Sequence, residues 1–243
     1  MTRQQMKYTA RTAIAGSKPS PLFGGAIITI ILFAIMVVLN MGIVKEYQTL
    51  VDKYIESGTE IDYEKIAIDI YNIAANAKTG VTDMIVTLVM NLISLYITFG
   101  FFIYTLKIAR KNSNVHISEM FPPLKLYLKY AIMSIIRGIL TMVFFMLFIV
   151  PGIILYFSYS QAPYLMIDHP EWSPIKCLNE SRRLMRGKKM QFFTLWFSFL
   201  GWTIISSMLV IFGVWSNPYI YVTNAVFYDE LICGVKKPSV EIL

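Results

Sequence analysis

The sequence predicts an all-α fold: a polytopic membrane helical bundle of about six spans in three hairpins, N-in and C-in, with interfacial amphipathic helices. Three observations predict it. The chain has 243 residues, 56% of them hydrophobic and only 15% charged, against roughly 25% charged in a soluble domain. Four stretches carry no charge at all: 26 residues between Lys18 and Lys45, 23 between Asp83 and Lys107, 30 between Arg137 and Asp168, and 39 between Lys189 and Asp229. A spanning helix needs about 20 such residues. The segments between these stretches differ in the sign of their charge, which fixes their side of the membrane.

Residues 1–18 hold four cations and no acids and read as a cytoplasmic amphipathic helix. The first span follows at about 22–44. It is too long for the apolar core of a signal peptide, and no A-x-A-like site follows it. Segment 45–83 holds four cations and eight acids, so it is predicted outside the cytoplasm. Its apolar residues recur at helical spacing in two sets, Val44, Tyr47, Val51, Tyr54 and Ile55, then Tyr63, Ile66, Ile70, Ile73, Ala74 and Ala77. Gly58 and Gly80 end the two helices. A span at about 84–106 returns to segment 107–129, with five cations and one acid.

The next apolar run is too long for one crossing. V-P-G at 150–152 divides it into helices at about 126–149 and 152–167, because Pro removes a donor and Gly permits a turn. Segment 168–189 is again cationic, with six cations and three acids, so an even number of crossings separates it from segment 107–129. Ser173-Pro174 opens a cytoplasmic interfacial helix over 173–189, with Ile175, Leu178 and Met185 on one face and Arg182 within the stripe. The last run is divided at W-S-N-P, 215–218, with Asn217 as N-cap and Pro218 in the first turn, giving helices at about 190–213 and 217–233. Lys236 and Lys237 keep the C-terminus inside. Spans 152–167 and 217–233 are short enough to be re-entrant rather than crossing.

One signal is written twice. A-R-T-A-I-A-G-S-K (10–18) and S-R-R-L-M-R-G-K-K (181–189) share R-x4-G-x-K, a helix end stopped by Gly and held at the lipid surface by cations. Arg11, Lys18, Arg182, Arg183, Arg186, Lys188 and Lys189 are therefore the candidate lipid- or anion-binding residues, and anionic membrane lipid is the expected partner. Nucleic acid is not expected, since the basic surface is small and lacks interleaved aromatic residues. A protein partner or a second copy of the chain stays open.

Arg137 is the ionisable residue set deepest in a predicted span, eight residues past Lys129 and so about 12 Å further along a helix. Three roles fit it. It snorkels to the cytoplasmic interface, it pairs with Asp168, Asp229 or Glu230 at neighbouring span ends, or it binds an anion or gates. Asn91, Ser94, Thr98, Ser158, Ser160, Gln161, Ser206 and Ser207 have interhelical hydrogen bonding as their default role.

No catalytic, cofactor or metal site is expected. The two histidines, His116 and His169, fall in loops, and no H-E-x-x-H, Walker A motif or intramembrane Ser–His pair is present. The first five spans carry no carboxylate, whereas proton-coupled transport usually places acids at mid-membrane. Cys177 and Cys233 both fall on the predicted cytoplasmic side, have no metal-ligand neighbours, and read as inert thiols.

V-P-G-I-I-L-Y-F-S-Y-S-Q-A-P-Y-L-M-I-D-H-P (150–170), S-R-R-L-M-R-G-K-K (181–189), F-S-F-L-G-W (197–202) and N-P-Y-I-Y-V-T-N-A-V-F-Y-D-E-L (217–231) together resemble the bacterial integral membrane family called domain of unknown function 975. They are distantly similar to the membrane domain of some glycerophosphodiester phosphodiesterases. The resemblance covers most of residues 1–18 and 84–235. It implies a bacterial plasma membrane and no activity, and carries over no catalytic residue. The expected function is a non-enzymatic membrane protein that binds lipid or a small amphiphile, or serves as a membrane or envelope accessory. The alternatives are a transporter or permease subunit, and an interaction scaffold acting through loop 45–83.

Overall fold

The computed structural model describes all residues except 18–20, 58–62, 77–80, 111–114, 209 and 237–243. The described residues are helical or in short connections, with no strand among them. Helix α1, Arg3–Gly16, opens on a capping box: the Thr2 hydroxyl accepts from the Gln5 backbone N–H at 3.3 Å, and the Gln5 side-chain Oε1 accepts from the Thr2 backbone N–H at 2.7 Å. Then come α2 (Pro21–Ser57), α3 (Tyr63–Asn76) and α4 (Val81–Ala109). A 3-10 turn, Ile117–Met120, leads to α5 (Leu124–Leu147), α6 (Ile149–Ser158) and α7 (Ala162–Asp168). The chain ends with α8 (Pro174–Leu184), α9 (Lys189–Phe197), α10 (Leu200–Met208) and α11 (Val210–Lys236).

The all-α expectation holds, and several boundaries move. Helix α2 runs unbroken through residue 45 to Ser57, so the first helix expected in segment 45–83 is a continuation of the first apolar run. Gly58 and Gly80 lie outside the described residues. The turn expected at V-P-G falls three residues earlier, with Phe148 as the single linking residue, Pro151 in the first turn of α6, and Gly152 against Phe145. The helix read at 152–167 is interrupted at 159–161, and that read at 190–213 is interrupted between Phe197 and Leu200. W-S-N-P starts no helix: Pro218 lies inside α11, and the Asn217 amide donates to the Thr29 hydroxyl at 3.3 Å instead of capping.

Two helices are long and apolar enough to cross a membrane among the described residues, Met84–Ala109 and Leu124–Leu147. Two of the other expected spans are divided, by the breaks between α6 and α7 and between α9 and α10.

Two compact units divide the chain, residues 1–29 with 95–243, and residues 30–94. In the smaller unit the Tyr54 hydroxyl donates to Asp69 Oδ2 at 3.1 Å and ties the end of α2 to α3. The larger unit has two buried clusters. One joins Phe99, Tyr130, Tyr159, Met166 and Cys177 from α4, α5, the α6–α7 break, α7 and α8. The other joins Leu106, Tyr164, Leu165, Ala225 and Tyr228 from α4, α7 and α11. Phe99 and Tyr130 stack 4.1 Å apart, and Tyr164 and Tyr228 stack at 5.1 Å, aromatic pairs that add to the area they bury. Helix α1 packs its buried Met6, Ala10 and Ala13, spaced i, i+4, i+7, along α11.

Candidate functional site

The ends of α4 and α7 and the flank of α11 meet at Arg110, the residue after α4. Its guanidinium donates to both oxygens of Asp168, at the end of α7, at 2.7 and 2.7 Å. It also donates to Asp229 Oδ1 on α11 at 3.0 and 2.8 Å. The buried Tyr228 hydroxyl donates to Asp168 Oδ2 at 2.9 Å. The planar fork of Arg suits one bidentate carboxylate and a second at its edge. Burial pushes the Asp168 carboxyl up, but the hydrogen bonds from Arg110 and Tyr228 outweigh it and hold it below its ordinary value. The same bonds to Asp168 raise Arg110 above its ordinary value.

This arrangement corrects the expected pairing of Arg137. Asp168 and Asp229 are taken by Arg110, and Glu230 by the amino group of Met1. Arg137 is partly buried on α5, with no carboxylate at ion-pair distance among the described residues. The sequence offered Arg110 as one more loop cation. Its distinguishing signal was position: it follows the last residue of a long apolar helix, as Asp168 and Asp229 each close a charge-free run.

The second R-x4-G-x-K copy forms the corner between α8 and α9. Ser173 caps α8 by accepting from the Lys176 N–H at 3.3 Å. Gly187 has φ +72°, a left-handed conformation that costs Gly nothing and other residues about 1 kcal/mol or more. It lets the Lys188 N–H reach the Met185 carbonyl and start α9. Cys177, Leu178, Ser181 and Met185 face the core, while Ile175 is exposed and leaves the predicted stripe. Arg182, Arg183, Arg186 and Lys188 are exposed, and Lys189 is partly buried. Arg183 pairs with Glu180 at 2.8 Å. The exposed face of α9 then shows Met190, Phe193, Trp196 and Phe197.

The first copy is built differently. Gly16 is the last helical residue of α1, and Lys18 lies outside the described residues. Arg11 is exposed with its guanidinium 5.6 Å from the Tyr219 ring, and Lys7 lies 4.3 Å over the Phe199 ring.

Ser181, inside the second copy, repairs the α6–α7 interruption. Its hydroxyl donates to the Ser158 carbonyl at 2.8 Å and accepts from the Gln161 N–H at 3.2 Å. Gln161 is fully buried; its amide donates to the Ser160 hydroxyl at 2.9 Å, and its Oε1 has no hydrogen-bond partner. Nearby, Lys129 donates to the Pro170 carbonyl at 2.6 Å, and the His169 ring stacks on Trp172 at 3.9 Å beneath Lys176. Burial pushes the Cys177 thiol up to about 11, which keeps it protonated and unreactive. Among the described residues no three His, Cys, Asp or Glu side chains are grouped to hold a metal.

No curated protein and no solved structure matches this chain. The family model described as Protein of unknown function (DUF975) matches residues 25–233, most of the chain, and the protein belongs to that family.

Proposed function

We propose that the protein is a non-enzymatic, multi-pass protein of the bacterial plasma membrane that binds anionic lipid headgroups at its α8–α9 corner. One observation carries this reading. Arg182, Arg186 and Lys188 are exposed with no carboxylate at ion-pair distance among the described residues, and the helix that follows them exposes Met190, Phe193, Trp196 and Phe197. Cations followed by aromatic and apolar groups match the order of environments from headgroup to acyl chain. Each cation near an anionic leaflet contributes about 1 kcal/mol, and salt screens it. The apolar helices Met84–Ala109 and Leu124–Leu147 are long enough to anchor the chain.

The test compares thermal stability in vesicles of phosphatidylglycerol and of phosphatidylcholine. At low salt the wild type is expected to be more stable in the anionic lipid, and the Arg182→Gln/Arg183→Gln/Arg186→Gln variant to lose much of that difference. Equal wild-type stabilities in the two lipids would overturn the reading. A second reading, a transporter or permease subunit, is favoured by one feature: α6–α7 is a discontinuous helix, the element that forms substrate sites in many transporters. Single cysteines at 158–161 that react with a water-soluble thiol reagent from both sides of the membrane would support it.

A further inference from the structure

Among the described residues Arg137 has no carboxylate at ion-pair distance. The core-facing stripe of α5 runs through Tyr127, Tyr130 and Ala131 and then turns polar at Ser134, Arg137 and Thr141, spaced i, i+3, i+7. Arg137 therefore lies on the side of α5 that faces the bundle. The Ser134 and Thr141 hydroxyls are both buried; among the described residues Thr141 has no hydrogen-bond partner, and Ser134 lies beside the Tyr130 hydroxyl. The guanidinium is near enough to the Tyr130 and Tyr221 hydroxyls to interact with them electrostatically. The carboxylates that could have neutralised it are engaged elsewhere: Asp168 and Asp229 by Arg110, Glu230 by the Met1 amino group, and Glu119 by Lys107 at 3.0 Å.

The depth is set by the α5–α6–α7 hairpin. Phe145 lies against Gly152, and Lys129 binds the Pro170 carbonyl. That register places Arg137 level with the interruption at 159–161, where Ser158, Ser160 and Gln161 cluster. From Lys129 to the linking residue Phe148 is about 28 Å at 1.5 Å per residue, close to the thickness of a bilayer core, and Arg137 lies near the middle. An unpaired charge at that depth is expensive and usually marks a ligand or ion path. Gly138, next to Arg137, is exposed, and open space surrounds the position a Cβ would take. Arg137 is itself partly exposed, so the site is reachable from the flank of α5.

We infer that Ser134, Arg137 and Thr141 form a lateral oxyanion site within the bundle. Its ligand is a phosphate or carboxylate group, delivered by an anionic amphiphile from the bilayer or as a free anion. The guanidinium fork supplies two parallel donors and the hydroxyls one each. This rests on the membrane-spanning reading above but not on the α8–α9 corner, and separate variants tell the two apart.

The test uses full-length protein in detergent micelles, titrated with short-chain phosphatidylglycerol, short-chain phosphatidylcholine or inorganic phosphate, and read by thermal shift and native mass spectrometry. Wild type and the Arg182→Gln/Arg183→Gln/Arg186→Gln variant are expected to retain one tight phosphatidylglycerol. Arg137→Gln is expected to bind it about tenfold more weakly or worse, as befits loss of a charge-assisted pair. Ser134→Ala/Thr141→Ala, which removes two hydroxyls without adding volume, is expected to weaken binding while leaving the melting temperature of the ligand-free protein within a few degrees. Saturation by inorganic phosphate with the same dependence on Arg137 would identify the free anion as the ligand. Unchanged binding of both anions in Arg137→Gln and in Ser134→Ala/Thr141→Ala would overturn the site and leave Arg137 as a snorkelling cation. If the surface variant alone loses binding, the corner reading stands and this one falls.

Discussion

At the scale of single residues the Arg110 network is the most consequential arrangement. Two carboxylates share one guanidinium, so removing it leaves Asp168 and Asp229 facing each other. Arg110→Gln is expected to destabilise the fold by about 1–3 kcal/mol, less than a fully buried pair because the side chains are 20–37% exposed. Asp168→Asn in the same chain should restore part of the loss, and additive effects in this double-mutant cycle would show that the pair does not couple. The pH dependence follows from the sign of the shift. Asp168 is held below its ordinary value, so its contribution is present above about pH 4 and is lost as pH falls through the lowered value. Without Arg110 the carboxyl loses the partner that holds it down, so this part of the acid-dependent loss should disappear, and stability should fall less steeply below about pH 4 than in the wild type. A second residue-level prediction concerns the thiols. Cys233 is exposed and Cys177 is buried with its thiol pushed up to about 11. A thiol reagent at pH 8 should modify one cysteine in the native protein and two after denaturation, and none in native Cys233→Ser.

At the scale of elements, both legs of the α5–α6–α7 hairpin show how the chain manages exposed backbone groups in apolar surroundings. The tip is apolar throughout: Met146, Leu147, Phe148, Ile149 and Val150 are each at least 63% exposed. A helix start leaves its first N–H groups without partners. Here a single linking residue makes the turn, the Phe148 N–H reaches the Phe144 carbonyl, and Pro151 in the first turn of α6 has no N–H to leave orphaned. At the other end of α6 the break exposes the Ser158 carbonyl and the Gln161 N–H, and Ser181 meets both. Ser181→Ala would leave two buried backbone groups unsatisfied, with an expected loss of about 1–3 kcal/mol for each that water cannot reach. Ser181→Thr keeps the hydroxyl and should lose less, and equal stabilities for Ser181→Ala and wild type would mean that water replaces the hydroxyl. Close packing makes a parallel point at α4. A Cβ at Gly100 would overlap the Met120 carbonyl oxygen, a backbone atom that cannot rotate away, so Gly100→Ala should detach the 3-10 turn or unfold its surroundings.

At the scale of the whole molecule, the helical class was legible because charge-free runs and i, i+3, i+4 spacing are properties of the sequence itself. The Pro and Gly positions were misread at W-S-N-P and by three residues at V-P-G. Pro218 lies inside α11, where the Asn217 and Ser216 side chains meet Thr29 and Ser206, and no single-sequence rule foresees those partners. The role of Arg110 was missed for a similar reason: it depends on α4, α7 and α11 meeting, which is tertiary information. The basic corner at 182–188 was legible because Gly187 and its neighbouring cations are local in sequence. The distribution of Lys and Arg makes a global prediction that the fold can carry. Loop 45–83 is acidic and segment 107–129 is basic, so a membrane should separate them, with residue 65 outside and residue 116 inside. Lys65 and His116 are both exposed, so a cysteine at either is reachable from its own side. In a Cys233→Ser chain, where buried Cys177 is silent, an impermeant thiol reagent applied to intact cells should label Lys65→Cys and spare His116→Cys. Permeabilised cells should label both. Labelling of His116→Cys in intact cells would invert or abolish the orientation, and with it the assignment of the Arg110 network and the α8–α9 corner to the cytoplasmic face.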